Sequence, residues 1–127
     1  MSLGVVDTNI IIHYFRKLPA ARAWVDTQTD PLAITSITWL EVMQGAPGKA
    51  GQATCKAILS RFNLITLTDA DQHWAMMQLE IHRLSQGVEM EDCLIASVCH
   101  RLNIPIYTDN EKDFLKTLPA HLVIKPY

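Results

Sequence analysis

Four acidic residues occupy positions from which side chains could do chemistry together. Asp7 directly follows the apolar pair Val5-Val6, and Asp113 follows Ile106-Tyr107 by way of Thr108-Asp109-Asn110. Glu41 interrupts the apolar run Ile37-Thr38-Trp39-Leu40-Glu41-Val42-Met43, and Asp92 lies three and four positions before Ile95 and Ala96. On a helix that spacing puts Asp92 on the same face as those apolar residues. An inward-facing carboxylate is unfavourable unless compensated, and converging carboxylates repel one another and hold their protons more tightly. A divalent cation reverses both effects, and hard oxygen ligands suit Mg2+ or Mn2+. The chemistry open to such a set is that of a divalent-metal site.

No rival chemistry is as well furnished. Ser36 and Ser97 lack a GxSxG setting, and no HExxH links the scattered His13, His73, His82, His100 and His121. Of these only His13, one helical turn after Asn9, falls near the acids. Cys55, Cys93 and Cys99 are odd in number and show no CxxC spacing, which fits free thiols in a reducing cytosol. Each acid also has a plain structural explanation. Glu41 can complete a capping box begun by Thr38, Asp113 one begun by Asn110, and Asp92 can complement the positive end of its helix. Asp7 can cap the turn after its strand. Spacing alone therefore leaves both readings open for all four.

The elements that would have to position these acids are legible as an alternation. Leu3–Val6, Leu32–Thr35, Asn63–Leu67, Ile104–Thr108 and Leu122–Lys125 read as strands. Between them Ile10–Phe15, Pro19 to about Thr27, Ser36–Gln44, Lys49–Phe62, Asp69–Gln86, Met90–Leu102 and Asn110–Leu118 read as helices. Pro19 suits a first helical turn, Asp69-Ala70-Asp71-Gln72 a capping box, and Pro105 a sheet edge or a strand start. The pattern predicts a three-layer α/β/α domain spanning residues 1–127, with a central, mostly parallel sheet of four or five strands. Ligands of such sheets bind beyond the carboxyl ends of the strands, where Asp7 and the Thr108–Asp113 segment fall.

Composition sets the outer bounds. The 127 residues are 49% hydrophobic and 19% charged, as expected of one globular core. No apolar stretch approaches the roughly 20 residues of a membrane span, and no secretory signal is apparent, so a cytoplasmic protein is expected. The net charge of −2 is unlike many nucleic-acid-binding domains. Setting aside the four acids leaves 9 acidic residues against 11 basic ones, so charge does not decide the partner.

The motifs together resemble those of the PIN-domain ribonucleases, and within them the VapC-like toxins of bacterial toxin–antitoxin pairs. The resemblance runs over nearly the whole chain, through Val5-Val6-Asp7-Thr8-Asn9, Ile37-Thr38-Trp39-Leu40-Glu41-Val42 with Gly45, Asp92-Cys93-Leu94-Ile95-Ala96, and Thr108-Asp109-Asn110-Glu111-Lys112-Asp113-Phe114. It implies that Asp7, Glu41, Asp92 and Asp113 hold one or two Mg2+ or Mn2+ ions, which activate water for hydrolysis of a phosphodiester with no side-chain nucleophile. Thr8 and Asn9 would support the first turn of the site, and Thr108 and Asn110 its fourth corner. Asp109 rivals Asp113 there, and Glu89 and Glu91 lie close to Asp92. An RNA substrate, a cognate antitoxin and a homodimer are implied as partners. Arg16, Lys17 and Lys112, with Arg22 and Lys49, are candidates to hold RNA phosphates, against the ordinary alternative of solvated surface charge. Trp39, Leu40 and Met43 are candidates to line a groove for the antitoxin.

Two other functions stay open at this point. A protein of this fold that binds RNA or a partner without cleaving would keep the same pattern. An aspartyl-phosphate phosphatase would also place an acid after its first strand. It would want a second acid two residues on, where Asn9 stands, and an activating partner.

Overall fold

The computed structural model describes residues 4–127. Leu3, expected to begin the first strand, lies outside the described residues. The chain runs β1 (Gly4–Val6), α1 (Thr8–Phe15), α2 (Pro19–Thr27), β2 (Leu32–Thr35), α3 (Ser36–Gln44), α4 (Gly48–Leu59) and β3 (Asn63–Ile65). It continues with α5 (Asp69–Gln86), α6 (Met90–Leu102), β4 (Ile106–Tyr107), α7 (Glu111–Phe114), a 3-10 turn (Ala120–Leu122) and β5 (Val123–Ile124). All four strand pairings are parallel, in the order β3-β2-β1-β4-β5.

Adjacent residues of β1 show how the sheet divides two cores. Successive strand side chains point to opposite faces. Val6 packs with Ile10, Ile11, Tyr14, Val25, Val42 and Leu59 on one side. Val5 packs with Ile95, Val98, Cys99, Ile106 and Phe114 on the other. Each such fully buried side chain stabilises the fold by roughly 1.5–3 kcal/mol. Gly4 permits close approach of the Tyr107 ring, which a Cβ at that position would meet at 2.1 Å.

Several boundaries differ from the sequence expectation, each for a local reason. Thr68, not Asp69, caps α5: its hydroxyl accepts from Asp71 N, while the Asp71 carboxylate accepts from Thr68 N. Asp71 is 1% exposed and ion-paired to Arg101 at 2.8 Å, a long-range tie that spacing does not reveal. Pro105 precedes β4, which β1 and β5 flank, so it marks a strand start and not an edge. Its carbonyl accepts from Val5 N. β3 ends at Ile65, although Leu67 still packs on the second core. Helix α7 is a single turn, because the chain bends after Phe114 to bury Leu118.

Lys17 carries φ of 63° at the end of α1, where Lys17 N bonds to Tyr14 O and Leu18 N to His13 O. This is the C-terminal bonding pattern that favours glycine. Lys17→Gly is expected to raise stability by about 0.5–1 kcal/mol, as strain relief exceeds the added chain entropy. A denaturant melt checks it, and an unchanged or lower midpoint would refute it.

Candidate active site

The strand order places β1 between β2 and β4, so successive connections diverge from it in opposite directions. The carboxyl ends of β1 and β4 thus border the crevice in which open α/β sheets bind ligands. Asp7 ends β1 and Thr108-Asp109-Asn110 ends β4, as the sequence placed them.

Asp7 is 5% exposed and does two things at once. As the residue capping α1 it accepts from Thr8 N at 2.8 Å through Oδ1, and through Oδ2 it accepts from the Thr108 hydroxyl at 2.8 Å. Thr108 Oγ1 in turn accepts from Asn110 N at 2.9 Å, which ties the fourth corner to the first. Asn9 Oδ1 lies 3.4 Å from Asp109 N across the same gap. Asn9, Thr108 and Asn110 are thus brought together with Asp7 and Asp109 by these hydrogen bonds.

Glu41 is not a capping residue. Helix α3 is capped by Thr35, which accepts from Thr38 N, so Glu41 sits in the second turn. Its Oε1 accepts instead from the Thr8 hydroxyl at 2.7 Å, with Thr38 Oγ1 3.0 Å from the same oxygen of Thr8. Asp92 lies in the first turn of α6, where an acid complements the helix end, and it is also partly buried among the other acids. Burial pushes its carboxyl up to about 7, assisted by the charges of Asp7, Asp113, Glu41 and Glu91. Burial likewise raises Asp7 to about 6, opposed by the Thr108 and Thr8 hydrogen bonds and assisted by Glu41 and Asp113. Glu41 is raised too, by burial first and by Glu91. All four acids therefore share one field, with Glu91 at its edge. Glu89 is ion-paired to Arg83 at 3.4 Å.

Asp109 and Asp113 differ in their surroundings. Asp109 is exposed and lies 3.6 Å from Lys125. Asp113 acts on Asp7 and Asp92, accepts from the Asn110 side-chain amide through Oδ2, and pairs with Lys116 at 3.0 Å through Oδ1. Lys116 went unnoticed in the sequence, although its position three residues after Asp113 was the available signal. Of the basic candidates, Arg16 borders a groove of about 340 Å³ that also touches Glu41. Lys17 and Lys112 are exposed and make no ion pair among the described residues.

That groove lies between α1, α3 and α4, lined by Ile12, Phe15, Val42, Ala46 and Cys55 among others. Trp39, Leu40 and Met43 do not line it. Trp39 and Met43 pack on the first core, and Leu40 is 57% exposed. The stripe of α3 facing the groove is Glu41, Val42 and Gly45, set by i, i+4 spacing.

The donor set fits a hard divalent cation in chemical kind: carboxylate oxygens, partly or fully buried, with proton affinities raised by burial and mutual repulsion. The side chains do not stand as a finished cage. Among the described residues no three Asp, Glu, His or Cys side chains are disposed around one point. Hydrogen bonds to Thr8, Thr108, Asn110 and Lys116 hold three of the acids in place. The cysteines offer no competing nucleophile, being free and buried, with the Cys99 thiol pushed up to about 12 by burial.

Comparison with known proteins agrees with this architecture. No curated protein matches the chain. Among solved structures it is similar to a toxin–antitoxin complex from Klebsiella pneumoniae, at 26% identity and TM-score 0.80, covering 98% of each chain. It is also similar to VapBC2 from Rickettsia felis bound to a promoter DNA fragment, at 22% identity and TM-score 0.79, covering 98% of each chain. DNA-bound VapBC from Salmonella typhimurium gives 22% and 0.78, again with 98% of each chain covered. The family model for the PIN domain matches residues 4–117, from the first strand past the fourth acid, and the chain belongs to the PIN-domain family.

Proposed function

We propose that this chain, as one domain over residues 1–127, is a divalent-metal-dependent endoribonuclease and the toxin of a toxin–antitoxin pair. The observation that carries the reading is the shared field of Asp7, Glu41, Asp92 and Asp113 at the switch point of the sheet, in which burial and repulsion raise both Asp7 and Asp92. Membership of a nuclease family and the toxin–antitoxin complexes among its structural relatives support it.

The four acids would surround Mg2+ or Mn2+. When bound, such an ion supplies an activated water and charge stabilisation for hydrolysis of an RNA phosphodiester. The chain's own residues set the stage for this. Thr108 orients Asp7 and fixes Asn110, while Thr8 orients Glu41. Arg16, at the groove end near Glu41, and the exposed Lys112 and Lys17 supply positive charge for RNA phosphates.

An antitoxin segment would take the apolar groove beside Glu41, and a second copy the exposed Met77, Ile81 and Leu84 stripe of α5. No helix among the described residues is long and apolar enough to cross a membrane, and a cytoplasmic site of action is proposed.

The test is cleavage of single-stranded and structured RNA with Mn2+ or Mg2+, against EDTA and against Asp7→Asn. Cleavage that needs the ion and falls by about 100-fold or more in the variant is expected, by analogy with the loss of supporting groups around metals. Binding of RNA with no cleavage under any divalent ion would instead favour a non-cleaving binding module. Release of phosphate from small monoesters would favour a phosphatase.

A further inference from the structure

We propose that Lys116 stands in for a second metal ion, so that the cleft takes one divalent cation per chain. This rests on the metal-dependent reading above and specifies its stoichiometry. The determining juxtaposition is that of Lys116 Nζ with Asp113 Oδ1, 3.0 Å apart.

The four acids are not equivalent. Asp113 has both oxygens engaged by N–H donors, Oδ1 by the Lys116 ammonium and Oδ2 by the Asn110 amide. Its side chain is 30% exposed and that of Lys116 is 22% exposed, so solvent screens their attraction only in part. Asp7, Glu41 and Asp92 form no ion pair among the described residues. Asp92 accepts no protein hydrogen bond among them, which leaves both its oxygens free to turn toward a ligand. The cleft is thus divided into a half whose acids form no ion pair among the described residues and a half whose acid already has a monovalent cation beside it.

A first divalent ion meets only acids at the Asp7, Asp92 and Glu41 half. A second ion of a paired site would have to sit roughly 3.5–4 Å from the first, toward Asp113. There it would meet the Lys116 ammonium and an acid already ion-paired to it. Lysine also serves as a compact charge at many phosphate sites, a part compatible with the place of Lys116 beside Asp113.

Equilibrium Mn2+ binding, read as free Mn2+ by electron paramagnetic resonance, tests this on the full chain. Lys116→Met and Lys116→Gln remove the charge, and Lys116→Arg keeps it; far-UV circular dichroism confirms that each is folded. Wild type and Lys116→Arg are expected to bind one Mn2+ per chain. Lys116→Met and Lys116→Gln should gain a second Mn2+, bound about tenfold or more tighter than any second ion in the wild type, the scale of removing a like charge within ~4–6 Å. Two ions of comparable affinity in the wild type would overturn the proposal, as would single-ion binding by both neutral variants. Both results leave the metal-dependent reading intact. Absence of any Mn2+ binding by the wild type would overturn that reading and this proposal together.

Discussion

Asp92→Asn is expected to lose RNA cleavage and at the same time melt at a higher temperature than the wild type without divalent ions. The two effects have one cause. Burial and the neighbouring charges of Asp7, Asp113, Glu41 and Glu91 make the ionised Asp92 carboxylate unfavourable in the folded chain, raising it to about 7. An amide of the same shape escapes that repulsion and, since Asp92 accepts no protein hydrogen bond among the described residues, forfeits none.

Discounted for partial exposure, the relief is about 1–2 kcal/mol at pH 8, or roughly 3–8 °C in Tm for a chain of this size. The amide is also a poor ligand for a hard cation, so cleavage should fall by about 100-fold or more. A thermal melt in EDTA and an RNA-cleavage assay, run on one preparation, read both effects. An inactive variant with unchanged or lowered Tm would show that Asp92 is structural and not held under repulsion.

Stability of the metal-free protein should fall as pH rises from about 5 to 8, opposite to the behaviour of most carboxylate-containing folds. The ordinary carboxyl value of 3.8 describes the unfolded chain, whereas folded Asp7 and Asp92 titrate at about 6 and about 7. Between these values the folded state holds protons that the unfolded chain has released. Unfolding therefore becomes more favourable as pH rises through that window, and the loss is complete above the folded values.

Asp26 and Asp71 act in the opposite sense. Asp26 is lowered by its Tyr14 and Arg61 hydrogen bonds, and Asp71 by Arg101 despite its burial. Their contribution is lost only as pH falls toward and below the ordinary carboxylate range, so it is steady across pH 5–8. The expected drop is on the order of 2–4 kcal/mol, roughly 5–15 °C in Tm. Mn2+ added at pH 8 should restore much of it, because a ligand of the folded state stabilises by mass action. Melts from pH 5 to 8 in EDTA check the sign. A Tm that is flat or rises over this window would exclude a mutually repelling acidic cleft.

Much of this molecule was legible one residue at a time. Strand and helix order follow from apolar periodicity, which is a local property, and so the five strands and the long helices fell near their expected places. Asp7 and the Thr108–Asp113 segment were identifiable as candidate site residues because a strand's carboxyl end is visible in sequence and parallel sheets bind ligands there. The four-motif resemblance supplied Glu41 and Asp92 as their companions.

Tertiary structure decided what depends on meetings across the chain. Thr8 bonding to Glu41, Thr108 to Asp7, and Arg101 to buried Asp71 join residues 30 to 101 positions apart. The capping explanation for Glu41 failed because Thr35, not Thr38, caps the helix, which begins at Ser36 as its spacing predicted. The different surroundings of Asp113 and Asp109, and the ion pair of Asp113 with Lys116, were visible only in the folded chain. Sequence fixes which side chains can carry charge and hydrogen bonds. Only the packed chain sets their separation and their exposure to water, and electrostatic energies depend on both.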